Sequence, residues 1–290
     1  MSHLIDEIAS QPEVWSAAID LAATAVLPAP GERVAVIGCG SSLNVARCYA
    51  RLREAAGHGQ TDAYPASELT GTRQYDHMVF ISRTGTTTEV LEALREVPDH
   101  VITTSLTADK NASLARETSN VVLLDFADER SVVSSRFVSS AIVLLRAHLG
   151  ADLSGLTEAA ADAVARPLPA ELATRTEFTF LGRGWASFVA DEAALKLREA
   201  SRSWAESYPA MEYRHGPISV SDENTVVWGI GEIPESLAAD AARTGATLIA
   251  EGGDPLVALI GAQRLAVMLA ARKGIDPDRP RALTRSVILA

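Results

Sequence analysis

Little in this chain of 290 residues could staple, anchor or electrostatically commit it. Its 2 cysteines, Cys39 and Cys48, supply neither a disulfide framework nor the paired spacing of a metal site. Aromatic residues are only 5%, too sparse for a platform on which bases stack. Basic residues are outnumbered, 26 against 37 acids, and the net charge of −11 gives no footprint for nucleic acid. A small anion is not excluded, because local donors rather than global charge hold it. No apolar run approaches the roughly 20 residues that span a bilayer. The first residues, MSHLIDEIASQPEVW, carry acids and lack the basic-then-apolar order of a signal peptide. These absences lead to the expectation of a cytoplasmic protein with no membrane or nucleic-acid partner and no metal. What is present is ordinary globular material, 47% apolar and 22% charged, long enough for one large or two smaller domains.

Residues 5–25 carry apolar positions at helical spacing and are closed by Pro28 and Pro30. Strands are expected at Val34–Ile37, Met78–Ile81, Val101–Ser105 and Val121–Leu124, with helical stretches between them. That alternation indicates an α/β fold with a parallel sheet covered on both faces. From Gly150 to Pro169 the pattern loosens into a linker with a short Ala-rich helix. Phe178–Leu181 then runs into Gly182-Arg-Gly184 and a helix, echoing Val34–Ile37 running into Gly38-Cys-Gly40. A strand–GxG–helix unit that appears twice predicts two related halves. The expected domains are 1–152, with the N-terminal helix, and 172–290, reduced in size and ending in a C-terminal tail.

Neither Gly-rich loop fits a dinucleotide site. The third glycine of that fingerprint is replaced by Leu43 in the first loop and Ser187 in the second. No Gly-Lys-Ser/Thr follows, so the phosphate loop of nucleotide hydrolases fails too, and no cofactor is expected. The strand ends are rich in hydroxyls instead: Ser41 and Ser42 after the first strand, then Ser82, Thr84, Thr86, Thr87 and Thr88 after the second. Backbone N–H groups at a helix start plus flanking hydroxyls make an anion site without a full positive charge. Helix capping is the plainer use of Ser and Thr, but it accounts for one or two residues, not seven.

Residues 190–204 predict a helix on which Glu192, Lys196, Glu199 and Ser203 fall within roughly 60° of one another. Ala190, Ala193, Ala194, Leu197, Ala200 and Trp204 occupy a separate apolar arc. By itself this could be a surface ion pair worth a few tenths of a kcal/mol. Downstream, Tyr213-Arg-His215-Gly-Pro217 adds an imidazole in a loop shaped by a Gly-Pro turn. Carboxylate, ammonium and imidazole beside an anion pocket are the parts for moving protons next to a carbonyl.

Taken in order, seven segments resemble the tandem sugar isomerase (SIS) family, in particular the isomerase domain of glucosamine-6-phosphate synthase. They are Gly38–Leu43, Ile81–Val90, Val132–Val138, Leu181–Trp185, Glu192–Arg202, Glu212–Ile218 and Pro277–Ile288. The resemblance implies two tandem SIS-type units, the second reduced. It implies a homodimer acting on a sugar phosphate as a phosphosugar isomerase or amino-sugar-phosphate deaminase. A fructosamine-phosphate deglycase and a sugar-phosphate sensor without turnover are the alternatives. By position it assigns the phosphate to Ser42, Ser82, Thr84 and Thr87, with Arg83 where the synthase has glutamine. Ser134 would touch the sugar, Glu199 would move the proton between C1 and C2, and His215 would open the ring from the partner subunit. Glu192 and Lys196 match further active-site positions. Two departures stand out. Arg285 replaces the tail lysine that forms an imine, and a guanidinium cannot be that nucleophile. The first strand is expected at Val34, so glutaminase activity is not expected, and one phosphate site per chain is expected, since Trp228–Ser236 is poor in hydroxyls.

Overall fold

In the computed structural model residues 2–69 and 73–289 are described. The N-terminal helix expected over 5–25 is two helices, α1 (His3–Ala9) and α2 (Gln11–Ala22). Pro12 has no N–H to give to the carbonyl of Ile8, and the Gln11 side-chain amide donates to that carbonyl instead, at 3.2 Å. The chain then alternates β1 (Val34–Gly38), α3 (Ser41–Ala55), β2 (Thr61–Pro65), β3 (His77–Ile81), α4 (Thr88–Arg95), β4 (Ile102–Thr107), α5 (Ser113–Glu117), β5 (Asn120–Leu123) and α6 (Arg136–His148). After α7 (Leu156–Ala165) come β6 (Glu177–Gly182), α8 (Ala186–Ser201), β7 (Trp204–Pro209), β8 (Thr225–Ile230), α9 (Glu235–Arg243), β9 (Thr247–Ile249) and α10 (Pro255–Arg272).

Two compact units result, each discontinuous in sequence. The N-sheet unit comprises Glu13–Glu129, Arg136–Ser154 and Thr284–Ala290; the C-sheet unit comprises Met1–Pro12, Arg130–Ser135 and Gly155–Leu283. In the first, five parallel strands lie in the order β2-β1-β3-β4-β5. Every residue of β1 and β3 is buried, as strands covered by helices on both faces require. Ile37, Phe80, Val90, Leu94 and Leu114 form the core on one face. The second unit has four parallel strands in the order β7-β6-β8-β9. Its helix α10 is long and apolar enough, by length and composition, to cross a membrane, yet more than half of it is buried. Asp254 starts that helix by accepting the Leu256 N–H at 2.9 Å, with Pro255 in the first turn.

The flanking segments are tied into the C-sheet unit by two carboxylates, Glu7 buried and Asp278 half-buried. Glu7 accepts the N–H groups of Arg130 at 2.5 Å and Ser131 at 3.2 Å. Asp278 accepts from the Ser2 hydroxyl and from the N–H groups of His3 and Leu4, at 2.7–2.8 Å, so the open start of α1 is satisfied.

The two strand–GxG–helix units are alike in atomic detail. A Cβ at Gly38 would lie 2.7 Å from the backbone carbon of Ser42, and one at Gly182 would lie 2.2 Å from the carbonyl oxygen of Ala186. Gly40 and Gly184 both take positive φ, 55° and 58°. The first glycine of each pair therefore permits contact of strand end and helix backbone, and the second turns the chain. Gly182→Ala is expected to lower stability by about 1–3 kcal/mol through overpacking, and Gly184→Ala, with open space around it, by about 1–2 kcal/mol through φ alone. Urea denaturation of the two variants measures both costs, and equal stability of Gly182→Ala and the parent chain would show that this approach is not tight.

Candidate functional site

The N-sheet unit carries the hydroxyl loop. Strand β3 ends at Ile81 beside Gly38 of β1, so Ser42 and the run Ser82–Thr88 follow adjacent strand ends. Neither helix start uses a hydroxyl as its cap: Gly40 is the N-cap of α3, and the Thr87 side chain makes no capping bond to α4. The Thr87 hydroxyl instead lies 3.3 Å from that of Ser82, which accepts the Gly85 N–H at 3.1 Å. The Thr86 and Thr84 hydroxyls lie 3.1 Å apart. Gly85 has φ 61°, and a Cβ there would come within 2.5 Å of Ala112, so the loop closes only around glycine.

Arginine in this loop is already committed. Arg83 is buried, and its Nη1 lies 2.7 Å from Oε2 of the fully buried Glu129. The other carboxylate oxygen of Glu129 accepts the N–H of Arg136, at the start of α6, at 2.8 Å. Arg285 reaches the same turn from the C-terminal tail: it donates to the carbonyl of Glu129 and pairs with Asp128 at 2.5 Å. Asp128 and Glu129 are thus site-shaping residues that sequence reasoning missed. Two adjacent acids before a loop carry no periodicity or spacing that marks them.

The C-sheet unit carries the charged helix. Glu192 and Lys196 on α8 are essentially sealed, and Lys196 Nζ lies 3.2 Å from Glu192 Oε1 and 2.5 Å from Glu199 Oε2. A surface ion pair is thereby ruled out. Burial works against the ammonium, but the two carboxylates outweigh it and hold the Lys196 pKa above its ordinary value. Glu199 is partly open, and among the described residues its second oxygen has no hydrogen-bond partner.

The C-terminal end of α8 differs from expectation. Arg202 adopts φ 51°, the helix closes with Ser203 N–H donating to the Leu197 carbonyl at 3.4 Å, and Ser203 and Trp204 leave the helix. Ser203 therefore faces Ser201 and Lys273 rather than the carboxylates. Trp204 opens edge strand β7 at 71% exposure and is no part of the apolar arc. His215 lies exposed after a short 3₁₀ turn, before Gly216 at φ 132°, and among the described residues no bond joins its ring to Glu199. Ser134 is half-buried in the segment Arg130–Ser135.

The triad gives a signed pH expectation. Because the folded pKa of Lys196 is raised, its contribution is complete below about pH 10.5 and fades as pH climbs through the higher folded value. Lys196→Met leaves two acids without their counter-charge and should cost about 3–5 kcal/mol at neutral pH. Urea titrations across pH should show that deficit narrowing only in the alkaline range where wild-type Lys196 itself deprotonates. A deficit under about 1 kcal/mol would mean the triad is solvated.

Comparison with known proteins follows the same lines. The model of the SIS domain matches residues 29–148, which contain the whole hydroxyl loop. Glutamine–fructose-6-phosphate aminotransferase (isomerizing) of Synechocystis sp. is 34% identical over 193 residues, covering 57% of this chain and 30% of that protein. The alignments span between 30% and 57% of the length of such curated relatives. Among solved structures, glucosamine-6-phosphate deaminase from Thermotoga maritima superposes with a TM-score of 0.84 at 25% identity, over 99% of this chain and 100% of that one. The C-terminal domain of glucosamine-fructose-6-phosphate aminotransferase from Francisella tularensis gives 0.79 at 23% identity, over 97% and 98%, and shares the fold. With its hydroxyl loop inside the matched segment and its whole length laid over such folds, the chain carries a SIS domain and is homologous to the isomerase domain of glutamine–fructose-6-phosphate aminotransferase.

Proposed function

We propose that this protein is a phosphosugar isomerase or amino-sugar-phosphate deaminase, acting on a substrate like glucosamine 6-phosphate by acid–base aldose–ketose chemistry. The observation that carries this reading is a loop of hydroxyls at adjacent strand ends of which none caps a helix. A phosphate there meets neutral donors from Ser42, Ser82, Thr84 and Thr87 and the N–H groups at the start of α4 beyond that of Thr88, which the Val287 carbonyl takes. Arg83 stands behind the loop with its charge met by Glu129. The similar proteins named above act, by their names, on fructose 6-phosphate and glucosamine 6-phosphate.

In this reading Glu199 is the base that moves a proton between C1 and C2, one oxygen turned to the work while Lys196, itself paired with Glu192, holds the other. Ser134 contacts the sugar, and His215 opens the ring from the partner subunit of a homodimer. Arg285 cannot form an imine, so turnover proceeds without a covalent adduct at that position. The four-stranded unit is a shortened repeat of the five-stranded one and binds no second phosphate. The reaction needs no metal or organic cofactor, and the protein works in the cytoplasm.

Two measurements test the assignment. Ser82→Ala combined with Thr84→Ala should weaken binding of glucosamine 6-phosphate by roughly 1–3 kcal/mol in calorimetry, the scale of lost bonds to a charged group. Unchanged affinity would move the phosphate elsewhere. Glu199→Gln should cut turnover about 10²–10⁴-fold while affinity stays near wild type. Solvent deuterium should enter C2 with the wild type and not with this variant. Ammonia and ketose assays over a panel of phosphorylated amino sugars separate deaminase from isomerase, and no exchange or product from any of them would sink the enzymatic reading.

A further inference from the structure

The C-terminal tail lies on the hydroxyl loop within the N-sheet unit, and its chemistry there is specific. Of the described residues 281–289, Ser286 alone is not exposed. Its Oγ accepts from Thr86 at 2.9 Å and from Thr84 at 3.2 Å. Two accepted bonds leave the proton of Ser286 to be donated, and no acceptor for it stands among the described residues. A hydroxyl that already accepts is polarised into a better donor.

The neighbours of Ser286 hold it in place. Arg285 is fastened to Asp128 and to the carbonyl of Glu129. The Val287 carbonyl takes the Thr88 N–H at 3.1 Å, and the Leu289 N–H donates to the Thr88 hydroxyl at 2.9 Å. Thr284 folds back to donate to the Ser286 carbonyl at 2.7 Å. Apolar burial does not explain this order, since Val287, Ile288 and Leu289 are 49%, 72% and 55% exposed. The tail is held by polar bonds to the loop and to the turn at 128–129, and those bonds lie on both sides of Ser286.

We propose that Ser286 is a further phosphate-binding residue, a wall of the hydroxyl cradle supplied by the C-terminal tail, and that Arg285 is its positioning residue. The proposal rests on the phosphate reading above. Ser286 extends the cradle beyond the loop itself, so a phosphate is met by hydroxyls from the strand end and from the tail. Arg285 acts through Ser286: its guanidinium is spent on Asp128 and Glu129, which fixes where residue 286 stands.

The test is calorimetric titration of the full chain with inorganic phosphate and with glucosamine 6-phosphate. Ser286→Ala should raise both dissociation constants about 5- to 20-fold, and Ser286→Thr, which keeps the hydroxyl, should restore most of the affinity. Arg285→Ala should weaken binding in the same way, and the double variant Arg285→Ala/Ser286→Ala should be no weaker than either alone, because both act through one contact. Thermal melts of every variant identify any that fail to fold, and the Ser286→Thr comparison stands apart from that concern. Wild-type affinity in Ser286→Ala, alongside weakened binding in Ser82→Ala/Thr84→Ala, would overturn the role of the tail and leave the cradle intact. Tighter binding in Ser286→Ala would overturn it also, by showing that the tail competes with phosphate. Normal affinity in both sets would instead mean the cradle reading itself is wrong.

Discussion

Backbone contact between a strand end and the first turn of the following helix is the constraint on which both units depend. It exists only where residue 38 or 182 has no side chain. With that approach allowed, each helix starts immediately at the carboxyl end of its strand, its first N–H groups turned onto carbonyls of the glycine turn, Ser42 onto Cys39 and Ser187 onto Gly184. In the N-sheet unit the neighbouring strand β3 then delivers the hydroxyl loop beside that start. A bulkier residue at either glycine would push the helix away and open the strand end to water. Parallel pairing follows from the same arrangement, since each helix covers the sheet before the chain returns.

Charge is managed by pairing it out of reach. Arg83 and Glu129 neutralise each other inside the N-sheet unit, and Lys196 is clasped between Glu192 and Glu199 in the C-sheet unit. An unpaired ion at those depths would cost several kcal/mol. What remains available at the hydroxyl loop is neutral: O–H groups, N–H groups and a helix start. The phosphate site proposed there suits an acidic protein, because a cradle of this kind works by direction of dipoles and not by excess positive charge. The same pairing commits one oxygen of Glu199 and leaves the other without a hydrogen-bond partner among the described residues, which is the form a carboxylate base requires.

Some of this was legible from residue order. The buried strands β1, β3, β6 and β8 are short apolar runs because helices cover both faces of each sheet, and the repeated GxG marked the helix starts. The edge strands β2 and β7, Thr61-Asp-Ala-Tyr-Pro65 and Trp204-Ala-Glu-Ser-Tyr-Pro209, escaped notice because an edge is half-covered and its side chains need not be apolar. Helical periodicity also overran its end. Trp204 fits the apolar arc of α8 by angle alone, but a left-handed Arg202 stops the helix three residues earlier than that arc implies.

The sequence by itself determined the alternation of strand and helix, the two glycine-pinned turns, the hydroxyl-rich loop and the shared face of Glu192, Lys196 and Glu199. Each of these depends on neighbours within a turn or two, where backbone geometry sets the spacing. Tertiary structure decided which charges are spent. Glu129 lies 46 positions from Arg83 and 156 from Arg285, and Ser286 lies about 200 from Thr84 and Thr86. Partners so distant meet only after the sheet has formed and the tail has returned to it, because no local conformational preference encodes a contact between residues the chain does not itself hold together.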